Sequence, residues 1–188
     1  IPYLEAYLSG SPEGDASVRK ALNDLYRIKR DMTSLRASLE AGLEHVTGAQ
    51  REQGLRELAF LLEGELGDLE GAATVLFELL ESGAASRDEH QHLRRLLEET
   101  GQWEALGSLL MAEGRDERSK TLRIAALERA GQVFLEELGD EERARSAYAM
   151  LLKLSPFHGA AKAALGELRG ADGDWVQLRG VYAQSQDW

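Results

Sequence analysis

The 188-residue chain sets 22 basic against 33 acidic side chains, and its net charge of -11 leaves no basic stripe for nucleic acid or an anionic membrane surface. Without cysteine it has no disulfide, zinc-thiolate site or thiol nucleophile, and no apolar run approaches the roughly eighteen residues of a membrane span, so no membrane insertion is expected. A composition rich in Leu, Ala and Glu, 43% hydrophobic with only 3 prolines, excludes disorder and a β-sandwich and reads as all-α.

Residues 1–9 place Leu4, Tyr7 and Leu8 at helical spacing before a stop at Gly10-Ser11-Pro12. That stop returns 144 residues later as Leu154-Ser155-Pro156, so the segment reads as the second helix of a partial repeat, residues 1–11. Asp15 is a candidate cap for a helix over 16–30, with Val18, Ala21, Leu22, Leu25 and Tyr26 on one face. Asp31 then caps a helix showing Met32, Leu35, Leu39 and Leu43, and the two pair as a hairpin over 15–47.

Thr47 and Gln50 have capping-box spacing and open a helix through Leu55, Leu58, Leu62 and Leu66, closed by Gly67. Asp68 sits at the N-cap of the next helix, 69–82, with Ala72, Leu76, Leu79 and Leu80 buried; this repeat spans 48–84. Ser86 and Glu89 form a second capping-box spacing, and Leu93, Leu96 and Leu97 lead to Gly101. Trp103, Leu106 and Leu110 stripe the following helix, ending the repeat 85–114 at a polar break over 113–116.

A long helix over 117–138 presents Leu127, Ala130, Phe134 and Leu138. Gly139-Asp140 repeats the turn, and 141–154 buries Ala144, Tyr148 and Leu151, completing 115–156. Ala161, Leu165 and Leu168 mark a helix over 158–169. The turn Gly173-Asp174 precedes a last helix with Trp175, Leu178 and Tyr182 in the repeat 157–188. This makes eleven helices. The chain begins without methionine inside a repeat, which reads as a piece of a longer protein; its compartment stays open, with the cytoplasm favoured.

Shifting the chain by 72 lays 51–110 on 123–182 without a gap and keeps about a quarter of the residues, including Glu65-Leu66-Gly67-Asp68 on Glu137-Leu138-Gly139-Asp140. The turn glycines Gly67, Gly101, Gly139 and Gly173 are spaced 34, 38 and 34, so one unit is two helical hairpins. Small residues at Ala72 and Ala144 let paired helices approach closely. Trp103, Trp175 and Tyr148 are read as filling space between hairpins, where truncating a buried tryptophan to alanine costs on the order of 3 to 5 kcal/mol.

Gly139-Asp140, Ala144, Tyr148 and Pro156, followed by Leu165-Gly166, resemble the pattern of the tetratricopeptide repeat (TPR) family. Gly67-Asp68, Ala72 and Leu76 resemble it again, with Ala84 in place of the proline; Lys162 and His90 stand where the family prefers tryptophan. The resemblance implies a right-handed α-solenoid of antiparallel helical hairpins. It also implies a concave face, formed by the first helix of each hairpin, that receives a protein or peptide partner.

Residues carried onto that face are Lys20, Asp24 and Arg27, then Arg56, Phe60 and Glu63, then Gln91, Arg95 and Glu98, then Glu128, Gln132 and Glu167. Arg56, Phe60, Gln91, Arg95, Glu128 and Gln132 are the candidate partner-binding set. Phe60 falls off the Leu55-Leu58-Leu62 face, and an exposed aromatic beside arginines has hot-spot composition. The competing reading packs Phe60 on the next hairpin and ties Arg56 and Arg95 to nearby glutamates.

No catalytic site, cofactor site or metal site is expected. His90 and His92, two apart on a helix, point about 200° from each other and cannot share a metal. His45 and His158 lie near helix ends, where histidine caps carbonyls or faces solvent. The acidic pairs read as solvated faces, and the turn glycines recur too regularly for a phosphate loop. The functional expectation is a protein-interaction scaffold; a structural spacer, a self-associating segment using the last hairpin, and a regulatory segment of a larger enzyme are the alternatives.

Overall fold

The computed structural model describes residues 1–10 and 16–169, and all regular structure among them is helical. Ten α-helices follow in order: α1 (Pro2–Gly10), α2 (Ala16–Lys29), α3 (Met32–Leu43), α4 (Gly48–Gly64), α5 (Leu69–Glu81), α6 (Arg87–Glu99), α7 (Trp103–Asp116), α8 (Lys120–Gln132), α9 (Glu141–Leu154) and α10 (Gly159–Arg169). The chain divides into two compact units, Ile1–Thr100 and Gly101–Trp188. The Asp15 cap, the turn at Gly173-Asp174, and Trp175, Leu178 and Tyr182 with the last hairpin's second helix lie outside the described residues.

In the first unit each helix packs on the next, and the contacts show the pairs to be antiparallel. Gly54, early in α4, lies against Leu43 at the end of α3, and Arg51 donates to the Leu43 carbonyl. Arg51 also pairs with Glu78 near the end of α5, while the other end of α4 turns directly into α5. Leu35, Leu39, Leu55, Leu61, Leu62, Leu79, Leu93 and Leu96 form the buried seam. The Tyr26 hydroxyl donates to Glu5 Oε1 at 2.6 Å and ties α1 to α2; burial first, and the adjacent Glu5 carboxylate second, push its pKa up to about 12.

In the second unit glycines act as notches. A Cβ on Gly131 of α8 would stand 2.5 Å from the Tyr148 ring of α9, and one on Gly107 of α7 would stand 2.6 Å from the Phe134 ring. Gly114 likewise makes room for Leu127, and Arg123 donates to the Gly114 carbonyl at 3.0 Å. Ala144, Ala147, Leu127 and Leu151 are fully buried around these contacts. Ala72 and Ala144, the small residues foreseen at close helix approaches, are both 0% exposed, and in the second unit the glycine notches add to the close approach.

The two copies of the Glu-Leu-Gly-Asp turn have the same construction. Gly67 and Gly139 take left-handed φ values of +65° and +63°. Before each, the helix widens: Leu66 and Leu138 donate to the carbonyls five residues back, Leu61 and Val133, at 3.1 and 3.2 Å. Asp68 and Asp140 then donate to Leu62 and Phe134, six residues back, at 2.8 and 2.7 Å. In the second copy the widened stretch is a π-helical turn, Val133–Glu137, continuous with α8. Each aspartate then caps the next helix, accepting from the Gly71 and Arg143 amides at 2.8 and 2.9 Å.

The α2–α3 turn is narrower. Arg30 donates to Arg27 and Asp31 to Tyr26, the 5→2 and 6→1 bonds of a Schellman motif. Arg30 occupies the left-handed position at φ +55°, the one non-glycine residue to do so among the described residues, and a side chain there costs about 1 kcal/mol.

Several local expectations change. The Ser86–Glu89 capping box is formed, but Thr47 makes no side-chain cap, because Gly48 enters α4 at φ +57° and turns the first amides away from a box. The polar stretch 113–116 does not break the helix; α7 runs to Asp116, since Gly114 faces the core beneath Leu127. Ala21 is exposed and Asn23 is buried in its place on α2. Trp103 is only half-buried, so truncating it costs less than the figure for full burial. His158 caps an amide rather than a carbonyl, its Nδ1 accepting from Ala161 N–H at 3.4 Å.

The notches make a paired prediction. Gly131→Ala drives a methyl into Tyr148 and is expected to destabilise the protein by about 1 to 3 kcal/mol. Gly166→Ala, in α10 with open space around it, is expected to stabilise by about 0.5 to 1 kcal/mol. Denaturant unfolding checks both; equal shifts of the same sign would refute the packing contact.

Candidate interaction surface

Four of the six candidate residues stand on α4 and α6 of the first unit, and charge pairs bind those helices side by side. Arg56 Nε donates to Glu89 Oε1 at 2.7 Å, and its second amino group donates to the Ala84 carbonyl at 3.0 Å. Arg95 donates to Glu63 Oε1 at 2.6 Å, and His92 Nε2 lies 2.7 Å from Glu63 Oε2. On the other side of α4, Glu57 pairs with Arg27 of α2, which also holds Asp24 at 2.9 Å.

Phe60 sits on α4 one turn from Glu57 and one turn from Glu63. The core face of α4 is taken by Leu55, Leu58, Leu61 and Leu62, so the ring is turned outward and is 75% exposed. Its position off the leucine face was visible in the sequence. The cross-helix pairs were not, because residues 32 or 33 apart in the chain meet only after the hairpins stack. Gln91 is exposed on α6, one turn before Arg95.

Glu128 and Gln132 stand on α8 of the second unit. Glu128 is half-buried with its Oε2 3.7 Å from His158 Nε2, and Gln132 Oε1 is 3.5 Å from an Arg129 amino group. Beside Phe60 the first unit has a cleft of about 360 Å³, floored by Leu35, Leu39 and Leu61. A second cleft, of about 330 Å³, lies over the Arg51–Glu78 pair and is lined by Glu52, Glu81 and Ser82.

The carboxyl groups whose pKa values shift are held by ion pairs and helix caps. Burial raises the Glu89 pKa, but Arg56 and then the Ser86 amide and hydroxyl outweigh it and hold the carboxyl below its usual range. Arg143 bonds to Glu104 and lowers its pKa, and the Arg143 amide and guanidinium do the same to Asp140. The Ser34 amide and hydroxyl lower Asp31. Among the described residues no three His, Asp or Glu side chains converge on a possible metal position, and no helix is long and apolar enough to cross a membrane.

No protein-family model matches the chain, and no curated protein does. Among solved structures it is similar to the MamA protein, with a TM-score of 0.42 and 16% identity over 93% of this chain and 90% of that one. It is also similar to a tetratricopeptide repeat protein from Parabacteroides merdae, with a TM-score of 0.42 and 18% identity over 90% of this chain and 67% of that one.

The lowered carboxyl pKa values set an acid limit. Their stabilisation is complete above the unfolded-state values of 4.5 for Glu and 3.8 for Asp, and is lost as pH falls through the lower folded-state values. The thermal midpoint is therefore expected to be flat from about pH 7 to about pH 5.5 and to fall progressively below about pH 4.5. A midpoint unchanged down to about pH 3 would contradict these pairings.

Proposed function

We propose that the chain is a protein-binding module and that the α4–α6 face around Phe60 receives the partner. The observation that carries this reading is a large aromatic ring, 75% exposed, on a helix tied to its neighbours by the Arg27–Glu57 pair on one side and the Arg56–Glu89 and Arg95–Glu63 pairs on the other. A flexible surface would lose ordering entropy on binding; here Arg56 and Arg95 are held in place, and the ring is presented on a braced platform. Gln91 and Arg95 form the polar rim, with Arg95 exposed beyond its bond to Glu63. The Arg56 bonds give that residue a bracing role rather than a contact role.

In the second unit Glu128 and Gln132 extend the proposal to a separate patch on α8. A spacer without a partner is the competing reading, favoured by the internal commitment of both arginines. The two separate by affinity capture from an extract of the encoding organism, using the wild type, Phe60→Ala, Arg95→Glu and, as control, Phe157→Ala, which removes another exposed ring, 84% accessible, in the second unit. Retention of the captured partner is expected to fall at least about tenfold with Phe60→Ala, the loss expected of a central aromatic hot spot, and to be unchanged with Phe157→Ala. Equal retention by all four proteins contradicts the proposal.

A further inference from the structure

Phe60 and the cleft beside it form a knob and a hole on one surface. The cleft is floored by the buried aliphatic side chains of Leu35 and Leu39 of α3 and Leu61 of α4, while Phe60 lines its side and projects outward, 75% exposed. Met32 also lines it, and its flexible thioether adapts to the shape of an entering ring.

The charges around this hole are balanced. Arg27 and Glu57 line the cleft and pair with each other, which leaves Arg30 and Glu65, both exposed and neither in an ion pair among the described residues. Arg30 keeps its cation there at a left-handed φ of +55°, where the turns at Gly67, Gly101 and Gly139 have glycine. One spare cation and one spare carboxylate on a single rim select no charged ligand of either sign. They match a surface that carries the same two charges in reverse order. Such a surface is this one turned about a two-fold axis, because in a two-fold contact residue i meets residue j and j meets i.

We infer that the Phe60 face associates with a second copy of the chain about a two-fold axis, each Phe60 ring entering the other copy's cleft and Arg30 of each copy pairing with Glu65 of the other. The inference rests on the reading of Phe60 as a partner-binding ring and names the partner. The two rings meet beside the axis, where offset or edge-on contact adds to their burial. One ring and one crossed charge pair from each copy cover less than the roughly 800 Å² per partner of a stable interface, so the dimer is reversible and fills at high chain concentration. The net charge of -11 on each copy opposes approach, but salt at about 0.15 M screens this repulsion beyond about 8 Å and leaves the short-range contacts to decide.

Sedimentation equilibrium in about 0.15 M salt is the test. The weight-average mass is expected to rise from 20.7 kDa toward twice that value between about 10 µM and about 1 mM chain. Phe60→Ala, which alters only an exposed ring, is expected to weaken association at least about tenfold. Arg30→Glu places like charges opposite each other at both crossed positions, and Glu65→Arg does so with the other sign; each alone is expected to weaken association about tenfold. Two samples restore complementarity: an equimolar mixture of those two variants, and the double swap Arg30→Glu with Glu65→Arg, whose net charge equals that of the wild type. Both are expected to associate as the wild type does, a rescue that a purely structural role for either residue would not give. A wild-type chain still monomeric at about 1 mM, a dimer that persists in Phe60→Ala, or a mixture no more associated than its components overturns the inference. A monomeric wild type that still captures another protein through Phe60 overturns the second copy as partner and leaves the broader reading standing.

Discussion

Everything in this chain depends on reversing an α-helix within a few residues while leaving no buried backbone group unsatisfied. The Gly-Asp turn does this by a division of labour. The glycine accepts a left-handed conformation that other residues take only at a cost, and the aspartate that follows satisfies the free amide of the third residue of the next helix. The widened last turn before each glycine, with bonds reaching five and six residues back, uses carbonyls that would otherwise be stranded. That both copies share this detail, one in each compact unit, makes it a property of the tetrapeptide rather than of its surroundings.

Once the reversal is fixed, packing is constrained to helices lying side by side, and side-chain size sets how close they come. The fully buried alanines Ala72 and Ala144 and the notches at Gly107, Gly114 and Gly131 allow close approach, and Phe134, Leu127 and Tyr148 fill the notches. Charge pairs then lock neighbouring hairpins. Arg36 reaches Asp68 at 2.8 Å, so the capping aspartate is held from the preceding hairpin as well; in the second unit Asp140 is held by Arg143, itself bonded to Glu104 of α7. These pairs are exposed and individually weak, so their contribution is mainly one of register.

The helices and their buried stripes were legible in the sequence because leucine periodicity and turn glycines carry the same message twice. Asp31, Asp68, Asp140 and Ser86 all cap where their spacing put them. What spacing could not convey was tertiary. Thr47 and Gln50 matched a capping box, yet Gly48 bends the first turn away from it; Gly114 looked like a break and instead faces the core. Asn23 is buried because of what packs against α2, which periodicity alone does not encode. At the candidate surface, Phe60 could be placed off the core face from the sequence, whereas the Arg56–Glu89 and Arg95–Glu63 pairs depend on the stacking of hairpins. Arg30 could not be singled out at all, since only the backbone reveals that it stands in a glycine's position.

The central claim, that the aspartate of the turn fixes the hairpin, is tested most directly by hydrogen exchange and unfolding of Asp68→Ala and Asp140→Ala beside Asp68→Asn and Asp140→Asn. Loss of an N-cap acceptor predicts destabilisation of about 1 kcal/mol for each alanine variant, with faster exchange at the Gly71 and Arg143 amides, and a much smaller effect for asparagine, which still caps. Alanine variants with unchanged stability and unchanged protection at those two amides would contradict it.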